Sequence, residues 1–187
     1  MRLFFAIRLP ADERQVIVDA IAPMRAAAPA VAWTAGDRLH LTIKFLGDVE
    51  ESRVPGLRDA AARVASRQRQ QTIHLGGLGA FPNLRSPKII WLGVAADGSF
   101  ELLHHDLESS CAELGHEVEG RPFRPHLTLG RVKRALDRST ARALAVAART
   151  VGLSRSVAVR SVDLMASTLG ERGRQYTVVA EIPLGGA

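Results

Sequence analysis

The stretch RLHLTIKFLG at residues 38–47 and the stretch RPHLTLGR at residues 124–131 carry the same pattern, an arginine, a histidine and a threonine at every second position. Side chains alternate between the two faces of a β-strand, so residues at every second position share one face. Polar residues that alternate with leucine or isoleucine predict a strand with one buried and one open face. We therefore predict two such strands, half a chain apart.

The alternation assigns each side chain of the two motifs to a face. In the first motif the predicted polar face comprises Arg38, His40, Thr42 and Lys44, and the predicted core face comprises Leu39, Leu41, Ile43 and Phe45. In the second motif the polar face comprises Arg124, His126 and Thr128, backed by Leu127 and Leu129. A rigid strand that holds a histidine beside a hydroxyl is a suitable platform for catalysis. Two such faces that meet across a cleft would form one site.

The elements around the two motifs follow a similar order in each half of the chain. Apolar stripes at helical spacing predict four helices, near residues 12–24, 54–64, 103–114 and 137–149. Asp97 and Ser99 are predicted caps of the third helix and Gly115 its end, and Asp137 is the predicted start of the fourth. Further strands are predicted near residues 3–9, 72–78, 88–94, 156–167 and 175–183. This order predicts an α+β fold made by duplication, with residues 1–187 as one domain of two pseudo-symmetric lobes.

Length and composition are those of an ordinary globular protein, with 187 residues of which 47% are hydrophobic and 24% charged. No apolar run reaches the roughly 20 residues that a membrane helix needs. The opening apolar run is too short for the core of a secretory signal. Cys111 is the only cysteine, which excludes an intrachain disulfide and favours a reducing cytoplasm. Its helical spacing from Leu107 and Leu114 predicts a buried core thiol.

The charge is basic and dominated by arginine. The formal net charge is +6, and 22 of the 25 basic residues are arginine. The planar guanidinium group is suited to phosphate oxygens, so this composition favours phosphate-bearing or nucleic-acid partners. A solvated surface with a compositional bias would give the same charge.

Two histidines on facing strands suit acid–base chemistry at phosphorus. Imidazole titrates near neutrality, so one ring can activate a nucleophile while the other protonates the leaving oxygen. Threonine hydroxyls and arginine can hold the phosphate oxygens. A metal site needs three or four clustered ligands, and each motif offers one histidine, so we expect no metal and no cofactor. The remaining histidines, His74, His104, His105 and His116, are interpreted as surface residues. His104 and His105 adjoin Asp106, but adjacent side chains diverge around a helix, so we do not expect these three residues to form a ligand cluster.

The two motifs resemble those of the 2H phosphoesterase superfamily, specifically the LigT-like RNA 2′,3′-cyclic phosphodiesterases, also called RNA 2′,5′-ligases. The resemblance extends over essentially the whole chain and includes RLFFAIRLP, GLGAFPNLRSPKIIWLGV and STLGERGRQYTVV. It implies a bilobal fold of two duplicated lobes, each an antiparallel sheet flanked by helices, with the active-site cleft between them. It also implies metal-free hydrolysis of a terminal 2′,3′-cyclic phosphate of RNA to a 2′-phosphate. We further expect a cytoplasmic monomer, and no protein partner is evident from the sequence.

The resemblance also implies roles for individual residues. His40 would be the proton donor and His126 the proton acceptor that activates water, Thr42 and Thr128 would bind phosphate oxygens, and Arg131 would contact the substrate. Strict alternation places Arg131 on the core face, unless Gly130 allows a bulge or a strand end. Arg124 lies on the predicted polar face and is the candidate for the same contact that the alternation itself favours. Lys44 shares that face at the far end of its strand.

Three functions are compatible with the sequence. The first is the metal-free cyclic phosphodiesterase. The second is reversible formation or cleavage of 2′,5′ linkages at RNA ends, which the same two histidines would serve by microscopic reversibility. The third is a non-catalytic RNA-binding module, against which the intact histidines and threonines of both motifs argue.

Overall fold

The computed structural model describes residues 1–95, 98–170 and 173–185. Its strands are β1 (Arg2–Arg8), β2 (Ala32–Trp33), β3 (His40–Asp48), β4 (Gln71–Phe81), β5 (Ile89–Ala95), β6 (His126–Arg131), β7 (Ser154–Val159), β8 (Ser161–Gly170) and β9 (Gly173–Pro183). Its helices are α1 (Ala11–Ala20), α2 (Ala22–Ala27), α3 (Val54–Ala65), α4 (Gly98–Glu113) and α5 (Arg138–Thr150). Both histidine motifs form strands, β3 and β6.

The strands form one antiparallel sheet with the motif strands at its centre. The order across the sheet is β7-β4-β5-β6-β3-β1-β8-β9, and the short strand β2 pairs with β6 beside β3. Each motif strand is followed outward by three more strands, so two sets of four strands meet where β3 pairs with β6. This arrangement of helices and antiparallel strands confirms the α+β class.

The two sets of strands are not the two consecutive halves of the chain. The hairpin β4–β5 follows the first motif in sequence but pairs with β6, whereas the C-terminal hairpin β8–β9 pairs with the N-terminal strand β1. The unit that repeats is strand, helix, motif strand, helix. It occurs once as β1–α1–α2–β3–α3 and once as β5–α4–β6–α5.

A continuous apolar core covers one face of the sheet. All five helices contribute to it, with Ile17, Met24, Leu57, Leu103 and Leu144 among their buried residues. The motif strands contribute Leu41 and Leu127, which are fully buried. A separate small cluster of Phe4, Ala6 and Met165, with Tyr176 packed against it, lies apart from this core. The polar residues of the motifs are thus free to face away from the helices.

Two predicted elements are divided in the structure. The helix predicted near residues 12–24 breaks at Ile21 into α1 and α2, because Pro23 has no N–H for an interior helical bond and instead occupies the first turn of α2. The strand predicted near residues 156–167 is β7 followed by β8, which pair with β4 and β1 in different parts of the sheet.

The helix ends agree with the sequence at two of the predicted positions. Asp137 caps α5, accepting a hydrogen bond from the Thr140 N–H at 2.9 Å. The hydrogen bonds from the Ser139 hydroxyl and from Thr140 lower the pKa of the Asp137 carboxyl. Gly115 follows α4 with a positive φ of 81°, a conformation that favours glycine. Ser99 lies inside the first turn of α4 instead of capping it, and Asp97 lies outside the described residues. Among the helices of the described ranges, none is both long and apolar enough to cross a membrane.

Candidate active site

The two motif strands meet at the leucines Leu41 and Leu127, which pair antiparallel on the core face. In an antiparallel pair, the residues that flank a paired position face each other in reverse order. The antiparallel register at these leucines places His40 on the side of Thr128 and Thr42 on the side of His126. The structure thus brings all four residues together on the face opposite to the core.

A bulge in β3 changes the predicted faces of the first motif. Ala6 pairs with Thr42 but Phe5 pairs with Lys44, so Ile43 is an extra residue in β3. An extra residue shifts the later alternation by one and exchanges the two faces. The placement of Lys44 on the polar face is therefore wrong: its side chain is 1% exposed, whereas Phe45, predicted to lie in the core, is 60% exposed.

The same bulge occurs in β6. Trp91 pairs with Thr128 but Ile90 pairs with Gly130, so Leu129 is the extra residue. Gly130 then faces the core, where an added Cβ would lie 2.8 Å from Val31 Cγ1. Arg131 is turned to the face of Thr128 by the same shift. The bulge therefore places Arg131 on the polar face, where strict alternation did not place it. Phe45 occupies the equivalent position in the first motif.

Both histidines are oriented in the same way by the main chain. Nδ1 of His40 lies 2.8 Å from the Arg38 carbonyl oxygen, and Nδ1 of His126 lies 2.7 Å from that of Arg124. A carbonyl only accepts, so each Nδ1 carries the hydrogen and each Nε2 remains available to a substrate. In both motifs the residue two positions before the histidine therefore supplies a main-chain carbonyl to the ring.

The predicted polar faces do not extend as far as these arginines. β3 begins at His40 and β6 begins at His126, so Arg38 and Arg124 precede their strands and strand alternation does not apply to them. The Arg124 side chain is exposed. The guanidinium group of Arg38 donates to the Arg174 carbonyl of β9 at 3.0 Å.

Aromatic rings that the sequence analysis did not single out pack against the histidines. The His40 ring lies 5.1 Å from the Phe4 ring and 4.9 Å from the Tyr176 ring, measured between centroids. The His126 ring lies 5.3 Å from the Phe81 ring, edge to face. Phe4, Tyr176 and Phe81 come from strands β1, β9 and β4, so no local sequence pattern links them to the motifs.

Burial lowers the pKa of His40. Desolvation is the largest cause, the hydrogen bond to the Arg38 carbonyl opposes it, and the positive charge of Arg131 lowers the pKa further. The charge of Arg131 therefore acts on the histidine of the other motif. The neutral ring is therefore favoured at His40 when no anion is bound.

Arg8 is a further arginine beside His40. Arg8 pairs with His40 across β1 and β3, and its guanidinium group binds the buried carboxylate of Asp163 and, at 2.7 Å, that of Glu181. Burial raises the pKa of Asp163, against the opposing effect of Arg8. Arg8 could not be identified from a local sequence pattern, because the carboxylates that bind it belong to β8 and β9, more than 150 positions away in the sequence.

The histidines outside the two motifs lie in different surroundings. His104, predicted to lie on a solvated face, instead stacks on Phe123 with 3.9 Å between ring centroids. His105 is exposed, and His74 is exposed with its Nδ1 2.8 Å from Ser156 Oγ. In the described part of the chain, no group of three or more His, Cys, Asp or Glu residues is arranged to hold a metal ion.

Comparison with known proteins identifies the family of this chain. The family model described as "2'-5' RNA ligase superfamily" matches residues 10–171. The chain belongs to this superfamily. A member from Escherichia coli strain K12, named RNA 2',3'-cyclic phosphodiesterase, is 36% identical over 94% of this chain and 92% of its own length. A member of the same name from Geobacillus stearothermophilus is 29% identical over 98% of this chain, which spans 57% of that relative's length.

Solved structures of the superfamily have the same fold. A crystal structure of a protein from Thermus thermophilus superposes with a TM-score of 0.84 at 29% identity, covering 100% of this chain and 99% of the other. The Escherichia coli LigT structure in complex with 3'-AMP has a TM-score of 0.73 at 31% identity and covers 98% of this chain and 97% of LigT. The 2H phosphoesterase (LigT-like) fold indicated by the sequence is thereby confirmed.

Proposed function

We propose that the protein is a metal-independent RNA 2′,3′-cyclic phosphodiesterase that opens a terminal 2′,3′-cyclic phosphate to a 2′-phosphate. The antiparallel meeting of the two motifs at Leu41 and Leu127 carries this proposal, because it directs two imidazoles with available Nε2 atoms to one face of the sheet. The name shared by the relatives supports the general activity. The 3'-AMP complex of LigT supports a nucleotide ligand for this fold.

In the proposed reaction, water attacks the phosphorus of the cyclic phosphate. His126 Nε2 accepts a proton from the water as the new P–O bond forms. The P–O3′ bond breaks on the opposite side, and O3′ takes a proton from His40 Nε2. The products are a 2′-phosphate and a free 3′-hydroxyl, and solvent returns both imidazoles to their starting protonation states. The two residues thus act as general base and general acid of one displacement.

The other residues of the site bind the phosphate in this proposal. The hydroxyls of Thr42 and Thr128 donate hydrogen bonds to the non-bridging oxygens, and Arg131 supplies positive charge. We prefer Arg131 to Arg124 for the phosphate contact, because the bulge at Leu129 turns Arg131 to the site and its charge acts on His40. Arg124 is left as a candidate contact for the RNA chain beyond the terminal nucleotide.

Substrate binding favours the protonated form of His40, which is the form that can act as a proton donor. The free protein favours the neutral His40 ring, because burial and Arg131 both lower its pKa. A bound cyclic phosphate carries a negative charge that offsets the charge of Arg131 and favours the protonated ring. We therefore propose that the anionic substrate recruits the proton that His40 later donates.

The test is hydrolysis of an oligoribonucleotide that ends in a 2′,3′-cyclic phosphate, in the presence of excess EDTA. The expected product is an oligonucleotide with a 2′-phosphate, distinguished from the 3′-phosphate by chromatography against synthetic standards. Preparations of the His126→Ala variant control for contaminating nucleases. Loss of activity in EDTA that one divalent ion restores, or a 3′-phosphate product, would contradict the proposal. An added oligonucleotide with a 5′-hydroxyl end tests for 2′,5′ ligation in the same assay.

A further inference from the structure

A segment without regular secondary structure, residues 116–125, leads directly into the second motif strand. Most of its residues are exposed, and Arg124 near its end supplies the carbonyl that accepts the hydrogen bond of His126 Nδ1. The orientation of the His126 ring therefore depends on where this segment lies. The main chain of this segment is hydrogen-bonded to a buried ion pair.

The buried pair joins Lys44 of β3 to Glu108 of α4. Lys44 Nζ lies 2.9 Å from Glu108 Oε2, and the two side chains are 1% and 7% exposed. The bulge at Ile43 is what turns Lys44 inward to this position. A lysine and a glutamate are almost never buried this deeply unless they are paired.

Each partner of the pair also holds the main chain of the segment. Lys44 Nζ donates a second hydrogen bond, 2.9 Å long, to the Glu117 carbonyl oxygen. Glu108 Oε2 accepts a second hydrogen bond, 3.2 Å long, from the Glu119 N–H. The ion pair is thus bonded to the segment on both sides of Val118.

A ring stack continues this support toward the histidine. Phe123, next to Arg124, lies against His104 of α4 with 3.9 Å between the ring centroids and an angle of 9° between the planes. Phe100 of the same helix lies 5.9 Å from Phe123 on the same measure. The contacts at Glu117, Glu119 and Phe123 fix the path of the chain up to the carbonyl of Arg124.

We propose that the Lys44–Glu108 ion pair is a positioning device that aligns His126 by holding the segment 116–125. Lys44 belongs to the first motif strand, four residues after His40, so the strand that carries one histidine orients the histidine of the other motif. Lys44 does not touch the substrate in this role. The consequence for turnover rests on the proposed function of His126, whereas the alignment of its ring does not.

Replacement of both Lys44 and Glu108 by apolar residues distinguishes a positioning role of the pair from a purely stabilising one. Removal of one partner leaves an uncompensated buried charge and destabilises the protein, but replacement of both by apolar groups of similar volume is often neutral for stability. The Lys44→Met/Glu108→Leu double variant therefore keeps a packed interior while it loses both hydrogen bonds to the segment. The Lys44→Met/Glu108→Gln variant keeps an acceptor for the Glu119 N–H without leaving a buried charge, and Glu113→Gln, at an exposed position of α4, is the matched control.

The experiment compares these variants in three measurements: amide hydrogen exchange of residues 116–125, the ¹⁵N-edited imidazole spectrum of His126, and the kinetics of cyclic phosphate hydrolysis. For the Lys44→Met/Glu108→Leu variant we expect faster amide exchange at Glu119 and a weakened His126 Nδ1–H signal. We also expect kcat to fall roughly 10- to 100-fold, because a small misplacement of a reacting group has effects of this size. KM should change little, since the phosphate contacts remain. Lys44→Met/Glu108→Gln should keep part of the exchange protection that Lys44→Met/Glu108→Leu loses, and Glu113→Gln should match the wild type.

Two results would overturn the proposal. One is a Lys44→Met/Glu108→Leu variant that is folded by circular dichroism and retains wild-type exchange protection and a wild-type His126 signal. The other is a fall in kcat accompanied by an equal loss of exchange protection throughout the protein, which would mean general destabilisation. If the wild type does not hydrolyse the cyclic phosphate, the proposed function fails, and the exchange and imidazole measurements still decide whether the pair positions His126.

Discussion

The guanidinium group of Arg131 acts on the imidazole of His40, although the two residues belong to different motifs. Its charge lowers the pKa of His40, in addition to the larger lowering that burial causes. The bulge at Leu129 makes this possible, because it turns Arg131 to the polar face of β6. The charge of one motif therefore adds to the effect of burial on the histidine of the other.

Replacement of Arg131 by methionine should raise the pKa of His40 toward its ordinary value. The reason is the loss of a nearby positive charge that disfavours the protonated ring. An NMR titration of the His40 ring protons measures the change directly. Arg124→Met, which removes an exposed charge outside the strand, should leave this titration nearly unchanged. A larger shift in Arg124→Met than in Arg131→Met would show that the two arginines have been assigned in the wrong order.

Replacement of His40 or His126 by alanine should each lower kcat by roughly 10²–10⁴-fold, the usual value of a positioned proton transfer. KM should change little, because the proposed contacts of Thr42, Thr128 and Arg131 to the phosphate remain. The double variant should be little slower than the slower single variant, because the two groups act in one transition state. Single-turnover kinetics of the three variants test this. Near-normal turnover in either single variant would mean that the repeated motif is only structural.

The dependence of kcat/KM on pH should be bell-shaped and should separate the two roles. A proton donor must be charged, so activity falls as the pH rises through the pKa of His40 in the free protein. In His126→Ala, where His40 is the only one of the two histidines left to titrate, this alkaline limb should lie below the usual histidine value of about 6.5, because burial and Arg131 lower that pKa. In the kcat profile the same limb should move to higher pH, because bound phosphate favours the protonated ring.

Alanine variants identify which histidine produces each limb. His40→Ala should remove the alkaline limb and His126→Ala the acidic limb, since the acceptor must be neutral. Exchanged limbs would reverse the donor and acceptor roles and leave the site itself unchanged.

Binding of oligoribonucleotides should be tighter than binding of mononucleotides and should weaken more steeply with salt. Each phosphate that a basic side chain neutralises releases counterions, which produces this dependence. Fluorescence anisotropy over a range of salt concentrations measures the slope. Arg124→Ala should reduce the slope for the oligonucleotide by about 1 if Arg124 contacts a backbone phosphate. Equal and salt-independent affinities for the two ligands would place the positive charge away from the site.

Cys111 should be unreactive in the folded protein. The side chain is 2% exposed, and burial raises the pKa of the thiol to about 11, so almost no thiolate is present near neutral pH. Labelling with a thiol reagent at pH 8 should be very slow in buffer and should reach one thiol per chain in urea. Rapid labelling in buffer would contradict the interpretation of Cys111 as a core residue.

The agreement between sequence and structure is closest where short-range patterns determine the outcome. Period-two alternation predicted both motif strands, and the cap at Asp137 and the glycine after α4 marked helix ends through local hydrogen bonding and backbone conformation. The alternation failed from Lys44 onward. A bulge depends on how a neighbouring strand pairs, and nothing in the first motif itself contains that information.

By itself, the sequence of this protein determined that two strands would each present a histidine and a threonine on one face. It did so because side-chain alternation is a property of the strand alone. Only the tertiary structure decided which groups join them. The pairing of Leu41 with Leu127, the position of Arg131 near His40 and the burial of Lys44 against Glu108 all depend on contacts between residues at least 64 positions apart. Such contacts form when the sheet and its helices pack together, and no local pattern encodes them.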